Sequence, residues 1–131
     1  MKIPKIIKSD NGLICLFYNS PELITTTVLT LVKTGTDYEN KNLNGISHFI
    51  EHLFFKGTKN FPTPQSLSWE LDNIGADYNA FTSYEYTGYY IKTLNYHLDR
   101  AIYLMAEMLT NPIFDQSELE KERRVILEEI N

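Results

Sequence analysis

Cysteine is almost absent from this chain: Cys15 is the single one among 131 residues. A lone thiol excludes an internal disulfide framework, so the fold must hold by packing. Cys15 lies in the apolar run Leu13-Ile14-Cys15-Leu16-Phe17 and is expected as a buried strand residue. Long hydrophobic runs are missing too. Nothing approaches the roughly 20 apolar residues of a membrane span, and the start, Met1 to Lys8, is too short in apolar residues for a secretory signal. The cytoplasm is therefore the expected compartment. Positive charge is not in excess: 12 Lys and Arg face 17 Asp and Glu, a net charge of −5. That argues against nucleic acid and against an anionic membrane as partners. Glycine and proline number only six and five, so each one marks a boundary worth reading. There are no low-complexity tracts and no short internal repeats.

What the chain does have is burial capacity. Nine Tyr and seven Phe in a 43% apolar composition suffice for a core, and residues 1–131 read as one unit. Residues 3–8 and 13–18 predict a hairpin across Ser9-Asp10-Asn11-Gly12. Residues 24–33, rich in β-branched side chains, predict a third strand. After a polar loop comes a helix over 43–55, closed by Gly57. Thr63-Pro64 reads as the N-cap and first position of a helix over 64–74, with Leu67, Leu71 and Ile74 on one face and Gly75 at its end. Residues 76–82 and 85–93 predict a second hairpin. A helix over 96–110 aligns Leu98, Ile102, Met105 and Leu109 in one stripe, and Asn111-Pro112 breaks it. A last helix starts near Asp115 or Ser117 and carries no stop signal, so the chain is expected to be incomplete at its C-terminus. Strands, helices, strands and helices in that order predict an α+β fold: a largely antiparallel sheet with helices packed on one face.

The chemistry sits in five residues, His48-Phe49-Ile50-Glu51-His52. Residues four apart share a helix face, so both imidazoles can grip one metal ion. Zinc takes nitrogen and carboxylate-oxygen ligands, and a catalytic site uses three protein ligands and leaves one position open. Glu51, beside a ligand histidine, is placed to take a proton from water. The order His-x-x-Glu-His is the inverzincin signature, the reverse of the commoner His-Glu-x-x-His. Its surroundings, Gly45 to Phe55, are apolar between these polar residues, and two His and a Glu are costly there unless satisfied together.

A third ligand must come from elsewhere, and the last helix offers Glu118, Glu120, Glu122, Glu128 and Glu129. Leu119, Ile126 and Ile130 fall within about 20° of one line, the expected core face. Glu122 and Glu129, seven apart, stand at the edge of that stripe, roughly 60–80° from its centre. Glu128 points about 180° away, into solvent. Glu129 is thereby selected, with Glu122 stacked before it, while Glu118 and Glu120 read as solvated charges balanced by Lys121, Arg123 and Arg124.

Three stretches together resemble the N-terminal part of a pitrilysin/insulinase-family (inverzincin) zinc metallopeptidase, the group that includes mitochondrial processing peptidase. They are 44–58, which contains the pentapeptide; Ile74-Gly75-Ala76-Asp77-Tyr78-Asn79-Ala80-Phe81-Thr82-Ser83; and Glu122-Arg123-Arg124-Val125-Ile126-Leu127-Glu128-Glu129-Ile130. The resemblance implies a truncated first unit of a pitrilysin-type fold, Zn2+ held by His48, His52 and Glu129, and Glu51 as general base. It makes Glu122 a supporting carboxylate of the catalytic set. It also implies that Asn79, Ala80, Phe81 and Thr82 form an exposed edge strand to which a peptide substrate adds, with the Asn79 amide suited to a substrate carbonyl. Family members enclose a chamber with further homologous units. The implied partners are thus a peptide and a missing C-terminal half or homologous second chain. The expected function is a zinc-dependent endopeptidase; the alternative is a noncatalytic partner subunit or remnant of the same fold.

Overall fold

The computed structural model describes residues 3–130, Ile130 by its backbone alone. Five strands and four α-helices follow in the order β1 (Lys5–Lys8), β2 (Ile14–Phe17), β3 (Thr25–Val32), α1 (Ile46–Leu53), α2 (Pro64–Asn73), β4 (Asp77–Thr82), β5 (Thr87–Leu94), α3 (Leu98–Thr110) and α4 (Gln116–Ile130). All strand pairings are antiparallel, in two sheets: β1–β2 alone, and β3-β5-β4 with β5 in the middle. The expected α+β class and antiparallel pairing are what the structure shows.

The second sheet has one covered face. Its register aligns Val28 with Ile91 and Ile91 with Tyr78, then Thr30 with Tyr89 and Tyr89 with Ala80. Strand side chains alternate, so these residues share a face. On that face Tyr89 and Ile91 join Leu67, Leu71 and Ile74 of the α2 region and Ala101, Leu104, Met105 and Met108 of α3 in the main core. The opposite face leaves Leu29, Leu31 and Phe81 exposed. Phe81 lies across Gly88, where a Cβ would stand 2.3 Å from the ring.

Two sequence expectations shift here. Met105 of the stripe expected on α3 is buried and Leu109 packs at the core's edge, but Leu98 and Ile102 are 37% and 45% exposed. The buried face is Ala101, Leu104, Met105 and Met108, roughly 80° round the helix at 100° per residue. Both stripes are apolar; Leu67 and Ile91 opposite decide between them. The first hairpin forms as expected, with Gly12 at φ 90, yet its strands are exposed and Cys15 is only half-buried.

Helix α1 is shorter than the sequence predicts. Gly45 stands at φ 88, a left-handed conformation no helix interior adopts, and so becomes the N-cap. Gly45 has no side chain to cap with. Glu39, from the preceding loop, does it instead: its carboxylate accepts from Gly45 N–H at 2.7 Å and Ser47 N–H at 2.8 Å. Burial raises the Glu39 pKa, but these amide hydrogen bonds outweigh it and leave the carboxyl below its ordinary value. Helix α2 starts as expected, with a reciprocal capping box between Thr63 and Ser66.

Two outcomes follow for stability. Leu104→Ala should cost about 2–5 kcal/mol by chemical denaturation, because it opens a cavity in the core, and Ile102→Ala about 0.5 kcal/mol or less. Equal losses would place the α3 core face wrongly. Glu39→Ala should cost about 1 kcal/mol, the usual worth of an N-cap. Because the folded-state pKa of Glu39 is lowered, its contribution is full above the unfolded carboxyl pKa and disappears as pH falls through the folded value. The gap between wild type and Glu39→Ala should therefore close in acid; a gap that persisted there would show that the charge is not what caps the helix.

Candidate metal and peptidase site

Helix α1 carries His48 and His52 one turn apart, and their Nε2 atoms lie 2.9 Å from each other. The rings meet edge to face with centroids 4.6 Å apart. From α4, Glu129 brings Oε2 to 3.8 Å from His48 Nε2. One ligand atom from each of His48, His52 and Glu129 falls within 4.8 Å of the others. Around a tetrahedral zinc with bonds of about 2.0–2.1 Å, ligand atoms stand roughly 3.4 Å apart. The His48–His52 and His48–Glu129 spacings, 2.9 Å and 3.8 Å, bracket that value and all three atoms lie within 4.8 Å, so the donors suit the ion in type and stand close to the spacing it needs.

The remaining carboxylates divide the supporting work. Glu122 is 5% exposed, far more enclosed than its expected place at the stripe edge. Its Oε1 sits 2.7 Å from His52 Nδ1 and its Oε2 2.5 Å from Lys56 Nζ. Burial raises its pKa, but hydrogen bonds from Lys56 and His52 outweigh this and hold it below the usual carboxylate range. An ionised Glu122 takes a proton-bearing Nδ1 as partner. That tautomer leaves a lone pair on His52 Nε2, the nitrogen that faces His48. Ile126, one turn further along α4, is buried as expected, and Leu119 is half-buried. The side chain of Ile130 lies outside the described residues. Glu128 is exposed; Glu120 pairs with Arg123 on the surface, while Glu118, expected as a solvated charge, is half-buried and pairs with Lys121.

Glu51 is 8% exposed and accepts a hydrogen bond from the Thr82 hydroxyl at Oε2. Its charge also lies near Tyr89, whose hydroxyl pKa is pushed up, first by burial and then by Glu51. Strand β4 is the edge of its sheet. Ser83 N–H bonds Tyr86 C=O across the hairpin, so by alternation the main-chain groups of Phe81 and Asn79 face β5. Those of Tyr78, Ala80 and Thr82 face the open edge. Asn79 Oδ1 accepts from Ala80 N–H at 2.9 Å, which covers one of the edge donors.

Three contributors escape sequence reasoning. Lys56 had a legible signal, since it stands four residues after His52 on the same side of the chain. Thr82 had a weaker one, the alternation that turns every second β4 residue toward the helices. Glu39 had none, because it reaches the helix from an irregular loop. Among the described residues, no helix is long and apolar enough to cross a membrane.

Residues 16–131 match the family model described as insulinase, peptidase family M16. A protein of Rickettsia felis named as a zinc protease is 42% identical over 125 residues, which are 95% of this chain and 30% of the relative. The mitochondrial-processing peptidase subunit beta of Saccharomyces cerevisiae is 40% identical over 122 residues, 93% of this chain and 26% of the relative. The crystal structure of a protease from Helicobacter pylori superposes with a TM-score of 0.90 at 31% identity, covering 96% of this chain and 30% of that one. The chain thus spans about 30% of the length of these relatives. By its family model, its zinc-protease relatives and its fold, the chain belongs to the insulinase family of peptidases, M16.

Proposed function

We propose that this chain is the zinc-bearing part of an endopeptidase that cleaves extended peptides. The observation that carries the reading is the convergence of His48, His52 and Glu129, drawn from two helices, on one point. In this reading those three side chains hold the ion. Zinc there would supply Lewis acidity to a water molecule and to a peptide carbonyl. Glu51 takes the proton of the attacking water and delivers it to the leaving amine. Glu122 fixes the His52 ring by its Nδ1 hydrogen bond. The open edge of β4, over Asn79 to Thr82, receives the substrate as an added strand through main-chain hydrogen bonds, which selects an unfolded segment. Asn79 would have to release Ala80 N–H for that bond to form. Enclosure of the peptide comes from a homologous further half or a second chain. The yeast relative is itself named as a subunit, which supports a two-part arrangement.

The test uses the full natural polypeptide that contains these residues. Glu129→Gln should weaken zinc binding far more than Glu128→Gln, since the two differ in direction alone, and a His48→Ala, His52→Ala pair should abolish it. Glu51→Gln should keep zinc and thermal stability while peptide hydrolysis falls by about 10²- to 10⁴-fold, the usual worth of a general base. Equal zinc affinity in the two glutamine variants of α4, or near-normal hydrolysis by zinc-loaded Glu51→Gln, would refute the assignment.

A further inference from the structure

We infer that Thr82 is a positioning residue for Glu51, and that through it the strand proposed to receive substrate holds the proposed base. The inference rests on the reading of Glu51 given above. Its starting point is a carboxylate that is 8% exposed and belongs to an apolar helix. A buried carboxylate is costly unless hydrogen-bonded. Among the described residues the one hydrogen-bond donor to it is Thr82, from 31 residues further along the chain. Neither residue is drawn to the other by local sequence. They meet because α1 lies against the covered face of the sheet and the β4 alternation turns Thr82 toward it.

The contact suits orientation more than charge balance. The hydroxyl engages Oε2. Oε1 is then the oxygen through which the carboxylate can meet water. Threonine is β-branched, so its χ1 is stiff and its hydroxyl is held in place before Glu51 arrives. A serine would offer the same donor with more freedom. The same residue has a second role in prospect. Its main-chain groups face the open edge of β4, where a peptide would pair. A substrate strand that registers against β4 thereby registers against the residue that sets the carboxylate. The distance between scissile carbonyl and base is then fixed through one side chain and one backbone unit, which is the kind of preorganisation that governs turnover.

The bland reading is that the hydroxyl merely satisfies a buried oxygen, and the experiment separates the two. In the full natural polypeptide, Thr82→Val and Thr82→Ser are each made alone and in a Glu51→Gln background, with Thr82→Ala as the substitute if valine prevents folding. Zinc content, thermal midpoint, kcat and KM on a peptide, and a crystal structure of the valine or alanine variant are measured. The expected result is wild-type zinc content, kcat lowered by about 10- to 100-fold with KM within about twofold. Serine restores most of the rate. In the Glu51→Gln background the valine change has no further effect on the residual rate, and the crystal structure shows the Glu51 carboxylate turned from its wild-type orientation. Wild-type kcat in Thr82→Val, failure of serine to rescue, an undiminished loss in the Glu51→Gln background, or an unmoved Glu51 would each overturn the inference. If Glu51→Gln is inactive while Thr82→Val is fully active, the inference alone fails. If Glu51→Gln keeps its turnover, the reading of the base fails and the inference with it.

Discussion

The site depends on one buried ion pair. Glu122 leaves solvent almost completely and meets His52 on one oxygen and Lys56 on the other. Taking a carboxylate out of water costs several kcal/mol, a cost offset only where both oxygens find good partners. Here both partners come from α1 and the turn that follows it, so the pair bolts α4 against α1. Ile126 adds apolar burial to the same contact. Glu129 is seven residues, about two helical turns, beyond Glu122, and it arrives beside His48 because Glu122 has already set the phase and height of α4. Together with Ile126, that pair holds the part of α4 from which Glu129 reaches the histidines.

The carboxylates around the motif thus have different environments and different tasks. Glu39 caps the helix that carries the histidines. Glu122 holds one ring by its far nitrogen. Glu51 lies buried against a strand hydroxyl, and Glu129 stays half exposed at the mouth of the cluster. Position relative to the core, not acidity as such, assigns the roles. The fold supplies that grading cheaply. Helix α1 packs against β4 on one side and α4 on another, and β4 ends at Thr82, beside Glu51.

Much of this is visible in the residues because it is local. The two histidines of the pentapeptide stand at the helical spacing, Thr63-Pro64 starts a helix by its own chemistry, and Asn11-Gly12 turns a hairpin within itself. The rotation of α4 was legible for the same reason: Glu128 and Glu129 differ by about 100° whatever surrounds them. What stays hidden is set by partners distant in sequence. The face of α3 that is buried depends on Leu67 and Ile91, so the Leu98–Ile102 stripe was as plausible as the true one. Pairing of Glu51 with Thr82, and of Glu39 with the amides of α1, requires the chain to be folded already. The depth of Glu122 is hidden in the same way, since helical phase gives direction and not burial.

In the proposed function two imidazoles of α1 and one carboxylate of α4 share a single zinc ion. X-ray absorption at the zinc edge of the purified natural polypeptide addresses it directly, since it reports the ion's own neighbours. The expected spectrum shows stoichiometric zinc, scattering from two imidazole rings, and nitrogen and oxygen neighbours alone at about 2.0–2.1 Å. A spectrum with one imidazole or none, a sulfur neighbour at about 2.3 Å, or a protein that retains no zinc would contradict it.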